Sequence, residues 1–192
     1  MKNKNYIITF HRAHNYGAFL QVYALQSFLK SKEFETYVVD YRNNNIERGY
    51  KILNLKTKNP IEMAKRTGKA LKYYSKLKVR KNTFDILIRS KLSLTNKVKT
   101  IKDMEKLVLK NDNIIVGSDQ VWNINITRGF DKVYYLMGDF KCNKISYAAS
   151  IGDNKLILKN EKSYQANLSN FDAISAELYT NWQKEYLENF KD

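Results

Sequence analysis

Short apolar runs recur along the chain, and each run ends in a cluster of glycine and polar residues. The clearest run is residues 114–116, which leads directly into Gly117 and a polar stretch. Residues 6–10 and 145–149 end in the same way. Continuous apolar runs of this length are typical of strands that are buried on both faces of a parallel sheet. We therefore predict three such strands, each followed by a polar loop.

The segments between these runs carry the spacing of helices. Asn15 is a good N-cap, and apolar residues then recur on one helical face as far as Lys30 or Ser31. A second apolar run at residues 36–40 completes a β-α-β unit, whose crossover makes its two strands parallel. Further helices are predicted at residues 101–110 and 156–168, and further strands near 93–95 and 171–175. This alternation predicts an α/β protein with a parallel sheet.

The segment 43–100 departs from this alternation. It opens with asparagines, is punctuated by Asn59-Pro60 and has apolar residues at helical spacing between Ile61 and Leu77. The pattern predicts a basic, mainly helical insertion in the core fold. We divide the chain into one domain at residues 1–175, which contains this insertion, and a C-terminal helix at 176–192.

Positive charge is concentrated in one part of the chain. The formal net charge is +15, and residues 51–110 hold 18 Lys or Arg against four acidic residues. Such asymmetry indicates a polyanionic partner. The segment has few adjacent aromatic residues, which favours an anionic membrane surface over nucleic acid. The alternative is a solvated lysine-rich surface without a partner.

Length and cysteine content limit the class of protein. A chain of 192 residues can bury a sizeable core in one domain. Its one cysteine, Cys142, allows no intramolecular disulfide, which favours a reducing compartment. No leader or membrane span is recognisable, so we expect a cytoplasmic protein that can be peripheral at the inner face of the membrane.

The loop after the first strand contains both histidines of the chain, His11 and His14, with Arg12 between them. These groups lie beside a predicted helix N-terminus. The side chains and the helix N-terminus together are suited to bind an anion. Gly17 would allow a ligand to approach the backbone. The alternative is that the loop only caps the helix and packs it on the sheet. With two histidines three residues apart and a remote cysteine, we predict no metal site and no cofactor.

The loop at Gly117 combines one carboxylate, Asp119, with the amide of Gln120 and the indole of Trp122. Carboxylates and amides bind sugar hydroxyls, and an aromatic face can cover the C–H side of a sugar ring. Asp119 could also accept a proton from an attacking hydroxyl. The alternatives are that Asp119 caps a helix and that Trp122 belongs to the core.

Several motifs carry a family resemblance. They are HNYGAFLQVYALQ at residues 14–26, VDYR at 39–42, GSDQVWN at 117–123 and YAASIG at 147–152. In this order and with these gaps, the chain resembles the polysaccharide pyruvyl transferase family from residue 9 to about residue 175. Members are typically about twice this length, with two Rossmann-like domains arranged as in GT-B-like transferases. The resemblance implies a Rossmann-like sheet with helices on both faces, similar to the N-terminal half of such a protein.

The same resemblance implies an activity. Family members transfer a pyruvyl group from phosphoenolpyruvate onto two sugar hydroxyls, which forms a ketal on a cell-surface polysaccharide or its lipid-linked precursor. By this resemblance the chain is the acceptor-side half, with phosphoenolpyruvate as donor substrate. A second-domain chain or a second copy of this chain would then complete the enzyme. The family usually has an arginine-glutamate pair after the last strand, where this sequence has Ala176-Glu177.

Motifs and resemblance together give a set of candidate residues. Asp119 and His14 are the catalytic candidates. The substrate-binding candidates are His11, Arg12, Asn15, Tyr16, Gly17, Gln21, Gly117, Ser118, Gln120, Trp122, Asn123, Tyr147, Ser150 and Gly152. The competing hypothesis is a catalytically silent module, remnant or subunit that binds a glycan or a polyanion.

Overall fold

The fold was obtained as a computed structural model, which describes residues 3–43, 45–46 and 59–176. The strands are β1 Lys4–Ile8, β2 Glu35–Tyr41, β3 Leu94–Val98, β4 Asn113–Val116, β5 Asn143–Ala149 and β6 Ala173–Ala176. The helices are α1 Tyr16–Ser31, α2 Pro60–Lys91, α3 Ile101–Leu107, α4 Ile124–Thr127 and α5 Asn154–Leu168. Ala176, where the predicted C-terminal helix would begin, is the last residue of β6. The rest of that predicted helix, residues 177–192, and part of the basic segment, residues 51–58, lie outside the described residues.

All six strands are parallel and form one sheet in the order β3-β2-β1-β4-β5-β6. This is the strand order of the Rossmann fold. The predicted α/β class with a Rossmann-like parallel sheet is therefore confirmed. The direction of winding reverses between β1 and β4, and ligands of such sheets bind in the crevice at the carboxyl ends of the strands flanking this point.

Helices cover the sheet on both faces because the central strands are apolar on both. On one face, Phe19 and Val22 of α1 and Phe84 and Ile88 of α2 pack against β1, β2 and β4. On the other face, residues of α3 and α5 pack against the same strands in a larger cluster that also contains Trp122, Tyr134 and Tyr135. The two clusters bury the β1-β4 centre completely, which fixes the position of the loops that follow these strands.

Local sequence signals set several helix ends. Asn15 caps α1, as predicted, because its side chain accepts a hydrogen bond from the backbone N–H of Gly17 at 2.7 Å. Thr100 and Asp103 form a capping box at α3. The predicted strand 6–10 ends earlier, at Ile8, and Thr9 already belongs to the loop, where its hydroxyl donates to the carbonyl oxygen of Ser118 at 2.7 Å.

The predicted basic helix and the β2-to-β3 crossover are one continuous element, α2. Its C-terminal part is anchored in the core by Phe84 and Ile88, which are fully buried. The apolar residues further toward its N-terminus, including Ile61 and Leu71, are exposed and pack on no described part of the core. Among the residues that the structure describes, no helix combines the length and the apolar character that a bilayer crossing requires.

Candidate functional site

A cavity of about 450 Å³ lies at the point where the winding of the sheet reverses. It is lined by Phe10, Ala13, Asn15, Asn45, Ile46, Asp119, Gln120 and Ile126. These residues come from the loops after β1, β2 and β4 and from α4. Parallel strands bring their carboxyl ends to one edge, so residues distant in sequence meet there.

The loop after β4 turns sharply to present its side chains to this cavity. Gly117 has φ 120°, and a Cβ at this position would overlap the carbonyl oxygen of Tyr147. Asp119 follows with φ 86°, a conformation that aspartate tolerates better than most side chains do. The Asp119 carbonyl oxygen accepts hydrogen bonds from Val121 at 2.8 Å and Ser150 at 3.0 Å. The backbone of Asp119 is thus held on two sides, its Oδ1 accepts a hydrogen bond from the backbone N–H of Gln120 at 2.7 Å, and the residue borders the cavity.

The loop after β5 supports Asp119 and Gln120 from behind. Ser150 is buried, and its backbone N–H provides one of the two hydrogen bonds to Asp119. Its hydroxyl is also buried and has no hydrogen-bond partner among the described residues. Gly152 has φ 73° and lies directly against the side chain of Gln120. The loops after β1, β4 and β5 therefore meet at one edge of the sheet.

Gln120 is oriented by its neighbours. Its side-chain carbonyl oxygen accepts a hydrogen bond from the amide of Asn123 at 3.0 Å, and Asn123 also caps α4 by accepting from Asn125. Asn123 is buried and is not among the cavity-lining residues. It therefore positions a lining side chain and does not itself line the cavity.

His11 and Arg12, both substrate-binding candidates, are buried in an ionic cluster around Asp40 of β2. The Asp40 carboxylate accepts from His11 Nε2 at 3.1 Å and from Arg12 Nε at 2.9 Å, and Arg42 Nη2 donates to it at 3.1 Å. Arg12 also lies 3.8 Å from a carboxylate oxygen of Asp85 in α2. The two residues border a separate cavity of about 10 Å³, which is about the space that one water molecule needs.

The cluster shifts the pKa values of Asp40 and His11. Burial alone would raise the pKa of Asp40, but the hydrogen bond from His11 and the charges of Arg12 and Arg42 outweigh it and hold this pKa well below its usual range. Burial lowers the pKa of His11, only partly opposed by its hydrogen bond to Asp40. His11 is therefore neutral at neutral pH, and its role in substrate binding stays a prediction.

His14 and Tyr16 face α2. The His14 ring stacks on Phe84 with centroids 5.6 Å apart, and the Tyr16 ring lies 4.7 Å from the same side chain. The carbonyl oxygen of His14 accepts a hydrogen bond from the guanidinium group of Arg80. Gly17 and Gln21 are exposed on α1 and do not line the cavity. A catalytic role for His14 stays a prediction.

Three further candidates, Trp122, Ser118 and Tyr147, do not line the cavity. Trp122 is buried in the core, where its indole N–H donates to the carbonyl oxygen of Tyr134 at 3.2 Å. Ser118 is buried and accepts from Thr9 through its carbonyl oxygen. Tyr147 is half exposed on β5 and is not a lining residue. No group of three His, Cys, Asp or Glu side chains within the described ranges is arranged to hold a metal ion.

Comparison with known protein families gives a match to Polysaccharide pyruvyl transferase over residues 15–176. This span covers most of the chain and runs from the N-cap of α1 to the last residue of β6. The chain belongs to the polysaccharide pyruvyl transferase family. No curated protein and no solved structure gave a significant match.

In this member of the pyruvyl transferase family, sequence reasoning missed part of the cavity wall. Asn45 and Ile46 line it, although we assigned this stretch to the insertion. Asn45 is held by a hydrogen bond from its amide to the carbonyl oxygen of Thr127 at 2.9 Å. The asparagines that open this segment were a signal, because three in succession just after a strand mark another polar loop at the same edge.

Proposed function

We propose that this chain acts in polysaccharide pyruvylation, the transfer of a pyruvyl group from phosphoenolpyruvate to two hydroxyls of a sugar. The sugar belongs to a cell-surface polysaccharide or its lipid-linked precursor. The cavity between the loops after β1 and β4 is the acceptor site in this proposal. Family membership supports the class of reaction, and the chemistry of the cavity supports the assignment of the acceptor.

The composition of the cavity wall carries the proposal. Three amide side chains, Asn15, Asn45 and Gln120, and one carboxylate, Asp119, stand among apolar residues, and none of the described lining residues is Lys or Arg. Amides and carboxylates can each form several hydrogen bonds with hydroxyl groups, as an uncharged sugar requires. A donor that carries a phosphate and a carboxylate would need cations at short range. The volume lies in the range of small-molecule sites.

The proposed chemistry assigns one step to Asp119. Each acceptor oxygen forms a bond to the central carbon of the enolpyruvyl group, whose bond to the phosphate oxygen breaks. The terminal methylene gains one proton to become a methyl group, and phosphate leaves. Of the two protons that the hydroxyls lose, one equals the proton gained by the methylene group and the other leaves with the phosphate. Asp119 borders the cavity and accepts the proton of the attacking hydroxyl, since an ionised carboxylate is a suitable general base when it lies within hydrogen-bond reach.

A second candidate function is glycan binding without catalysis. It is favoured by the ionic cluster, because His11 and Arg12 are engaged by Asp40 and neither borders the 450 Å³ cavity. Asp119 is then the one described lining residue with an ionisable side chain. Such a site can bind a sugar and leave the donor chemistry to other residues or another chain.

Chromosomal replacement in the source organism tests the catalytic proposal, because it retains every partner that the full chain uses. Mild acid releases ketal-bound pyruvate from the purified surface polysaccharide, where it can be measured. We expect loss of this pyruvate on deletion and a fall of at least about 100-fold in transfer for Asp119→Asn, the usual contribution of a general base. Asp139→Asn, an exposed carboxylate outside the cavity, is the matched control. Normal pyruvate content in the Asp119→Asn strain at equal protein level would contradict the role of Asp119.

Binding measurements separate the two candidates. Nuclear magnetic resonance titrations of the purified chain with methyl hexosides and with phosphoenolpyruvate report each ligand directly. Both functions predict that a hexoside shifts the signals of Gln120 and Asn15. If Asp119→Asn keeps hexoside binding and also keeps the pyruvate content of cells, the binding-only function is supported. If no hexoside binds at the cavity, the acceptor site is wrong.

A further inference from the structure

The N-terminal part of α2 extends past the carboxyl edge of the sheet. Two contacts with the loop after β1 show where α2 passes this edge. Arg80 donates a hydrogen bond to the carbonyl oxygen of His14, and a carboxylate oxygen of Asp85 lies 3.8 Å from Arg12. The helix continues without interruption from there back to Pro60. Twenty helical residues, 60–79, therefore project about 30 Å beyond this edge. We call them the α2 arm.

The surface of the α2 arm is basic. The whole of α2 contains ten Lys or Arg and two acidic residues. Lys65, Lys72, Lys76 and Lys78 on the arm are all exposed. Positive charge of this density on an exposed helix attracts a polyanion.

The arm also exposes apolar side chains, and two of them lie on one line along the helix. Ile61, Leu71 and Val79 have 68%, 69% and 65% of their surface exposed. At about 100° per residue, Ile61 and Val79 lie in line along the helix, and Lys65, Lys72 and Lys76 lie within about 60° to one side. Ile88, which anchors α2 in the core, lies on the opposite side. This lysine-rich face, with Ile61 at one end and Val79 at the other, therefore points away from the domain.

A row of lysines with an exposed apolar side chain at each end fits the surface of an anionic bilayer. The apolar side chains enter the boundary of the acyl chains, and lysines reach the headgroups while their methylenes cover apolar surface. Nucleic acid would neutralise the lysines but gives no comparable site for Ile61 and Val79. The exposed tyrosines are less available for stacking on bases, because Lys72 and Lys78 lie 5.7 and 6.0 Å over the rings of Tyr73 and Tyr74.

From this juxtaposition we infer that the α2 arm binds the surface of an anionic membrane. The arm lies parallel to the bilayer with Ile61 and Val79 toward the lipid, and the domain is held on the opposite side of the helix. Because the arm projects from the same edge of the sheet that holds the cavity, binding keeps that edge near the membrane. This inference does not depend on the proposed enzymatic activity.

Co-sedimentation of the full chain with vesicles tests the inference. Vesicles of phosphatidylglycerol and phosphatidylcholine in equal parts are compared with vesicles of phosphatidylcholine alone, at low and high salt. We expect binding to the anionic vesicles only, weakened by salt. Replacing Lys65, Lys72 and Lys76 by Glu should weaken binding by at least about 100-fold, because each basic residue near such a surface contributes appreciably. Replacing Lys102, Lys106 and Lys110 by Glu changes the net charge equally at exposed positions off α2 and should weaken it far less.

A second pair of variants tests contact with lipid against simple attraction to anions. Ile61→Ser together with Val79→Ser should weaken vesicle binding about tenfold and leave binding to duplex DNA unchanged. Leu158→Ser, at an exposed apolar position on α5, is the control and should have no effect. Equal effects of the two lysine-to-glutamate triples, or no binding to anionic vesicles, would overturn the inference. Tighter binding to DNA that depends on the same lysines but not on Ile61 and Val79 would assign the arm to nucleic acid instead.

Discussion

The loops after β1 and β4 share a sequence pattern but lie in different environments. Each follows a buried strand with a run of polar and charged residues. In the loop after β1, His11 and Arg12 turn inward and are paired by Asp40, which is buried. In the loop after β4, Asp119 is partly exposed and borders the cavity. The difference shows that a polar residue at a strand end is available to a ligand where it borders a cavity, and not where a neighbouring strand buries and pairs it.

The partner of the first loop comes from the neighbouring strand. Parallel pairing of β1 with β2, with Ile7 opposite Val38, brings Asp40 of β2 beside the loop that follows β1. On the other side of β1, pairing with β4 places Val116 opposite Ile8, so the two loops start at the same level. The comparison therefore predicts that the first loop contributes mainly to stability and the second mainly to ligand binding.

Removing the partner of the first loop should have the largest effect. Asp40→Ala leaves Arg12 buried without its main counter-charge, and we expect the free energy of unfolding to fall by about 3–5 kcal/mol. Asp119→Asn should change it by less than about 1 kcal/mol, as is usual for partly exposed positions. Urea denaturation followed by circular dichroism measures both. Similar losses for the two variants would show that the loops do not differ in the way proposed.

A comparison of two glycines tests whether the loop after β4 requires glycine at position 117 because of the neighbouring backbone. Gly117 and Gly129 have nearly the same φ, 120° and 123°, but only Gly117 has a neighbour, the Tyr147 carbonyl, within reach of a Cβ. Gly129→Ala should therefore cost only the conformational strain, about 1–3 kcal/mol. Gly117→Ala adds a backbone overlap, so its loss should exceed about 3 kcal/mol. Thermal unfolding of both variants gives the difference, and equal losses would exclude the close approach to Tyr147.

The sequence was sufficient for the features that depend on local pattern. The strand positions, the cap at Asn15 and the parallel sheet followed from apolar runs and helical spacing, whereas the order of the strands came from the structure. The pairing of His11 and Arg12 with Asp40 could not be predicted, because it depends on which strands are neighbours. Trp122 was equally ambiguous, since an indole in a loop can stack on a sugar or fill the core, and only the packing around Tyr134 decides.

The first loop should also make stability depend on pH. Burial lowers the pKa of His11, so as the pH falls the unfolded chain binds this proton near the ordinary value of about 6.5 and the folded chain binds it only at a lower pH. Stability is then present above this pH and is lost as the pH falls, by at most about 1.4 kcal/mol per pH unit for this one group. The Asp40 contribution has the same sign but is lost only at lower pH, below the ordinary range of a carboxyl group.

Urea denaturation between pH 7 and pH 5 measures this dependence, whose upper limit over this window is about 2 kcal/mol for one histidine. His11→Gln should remove most of the slope, even if it lowers stability at every pH. His14→Gln is the comparison, because His14 is less buried and the pKa of its imidazole is lowered chiefly by that partial burial. An unchanged slope in His11→Gln would mean that His11 is not held neutral in the fold.

The smallest effect on stability is expected behind the cavity, at Asn123. Its amide holds the side-chain oxygen of Gln120 at 3.0 Å, and its own oxygen caps α4. Asn123→Ser keeps a capping oxygen but loses the amide, and since serine and asparagine cap helices about equally well, the free energy of unfolding should change by less than about 1 kcal/mol. Gln120 would then have to be ordered by the ligand itself, which costs about 0.5–1.5 kcal/mol for a side chain of this kind and weakens methyl hexoside binding by roughly two- to tenfold.

Titration of both proteins, followed through the side-chain amide signals of Gln120, measures the affinity and the orientation together. If the Gln120 signals change but the hexoside affinity does not, Gln120 does not contact the sugar, and the acceptor would have to bind through Asp119 and the asparagines of the opposite wall.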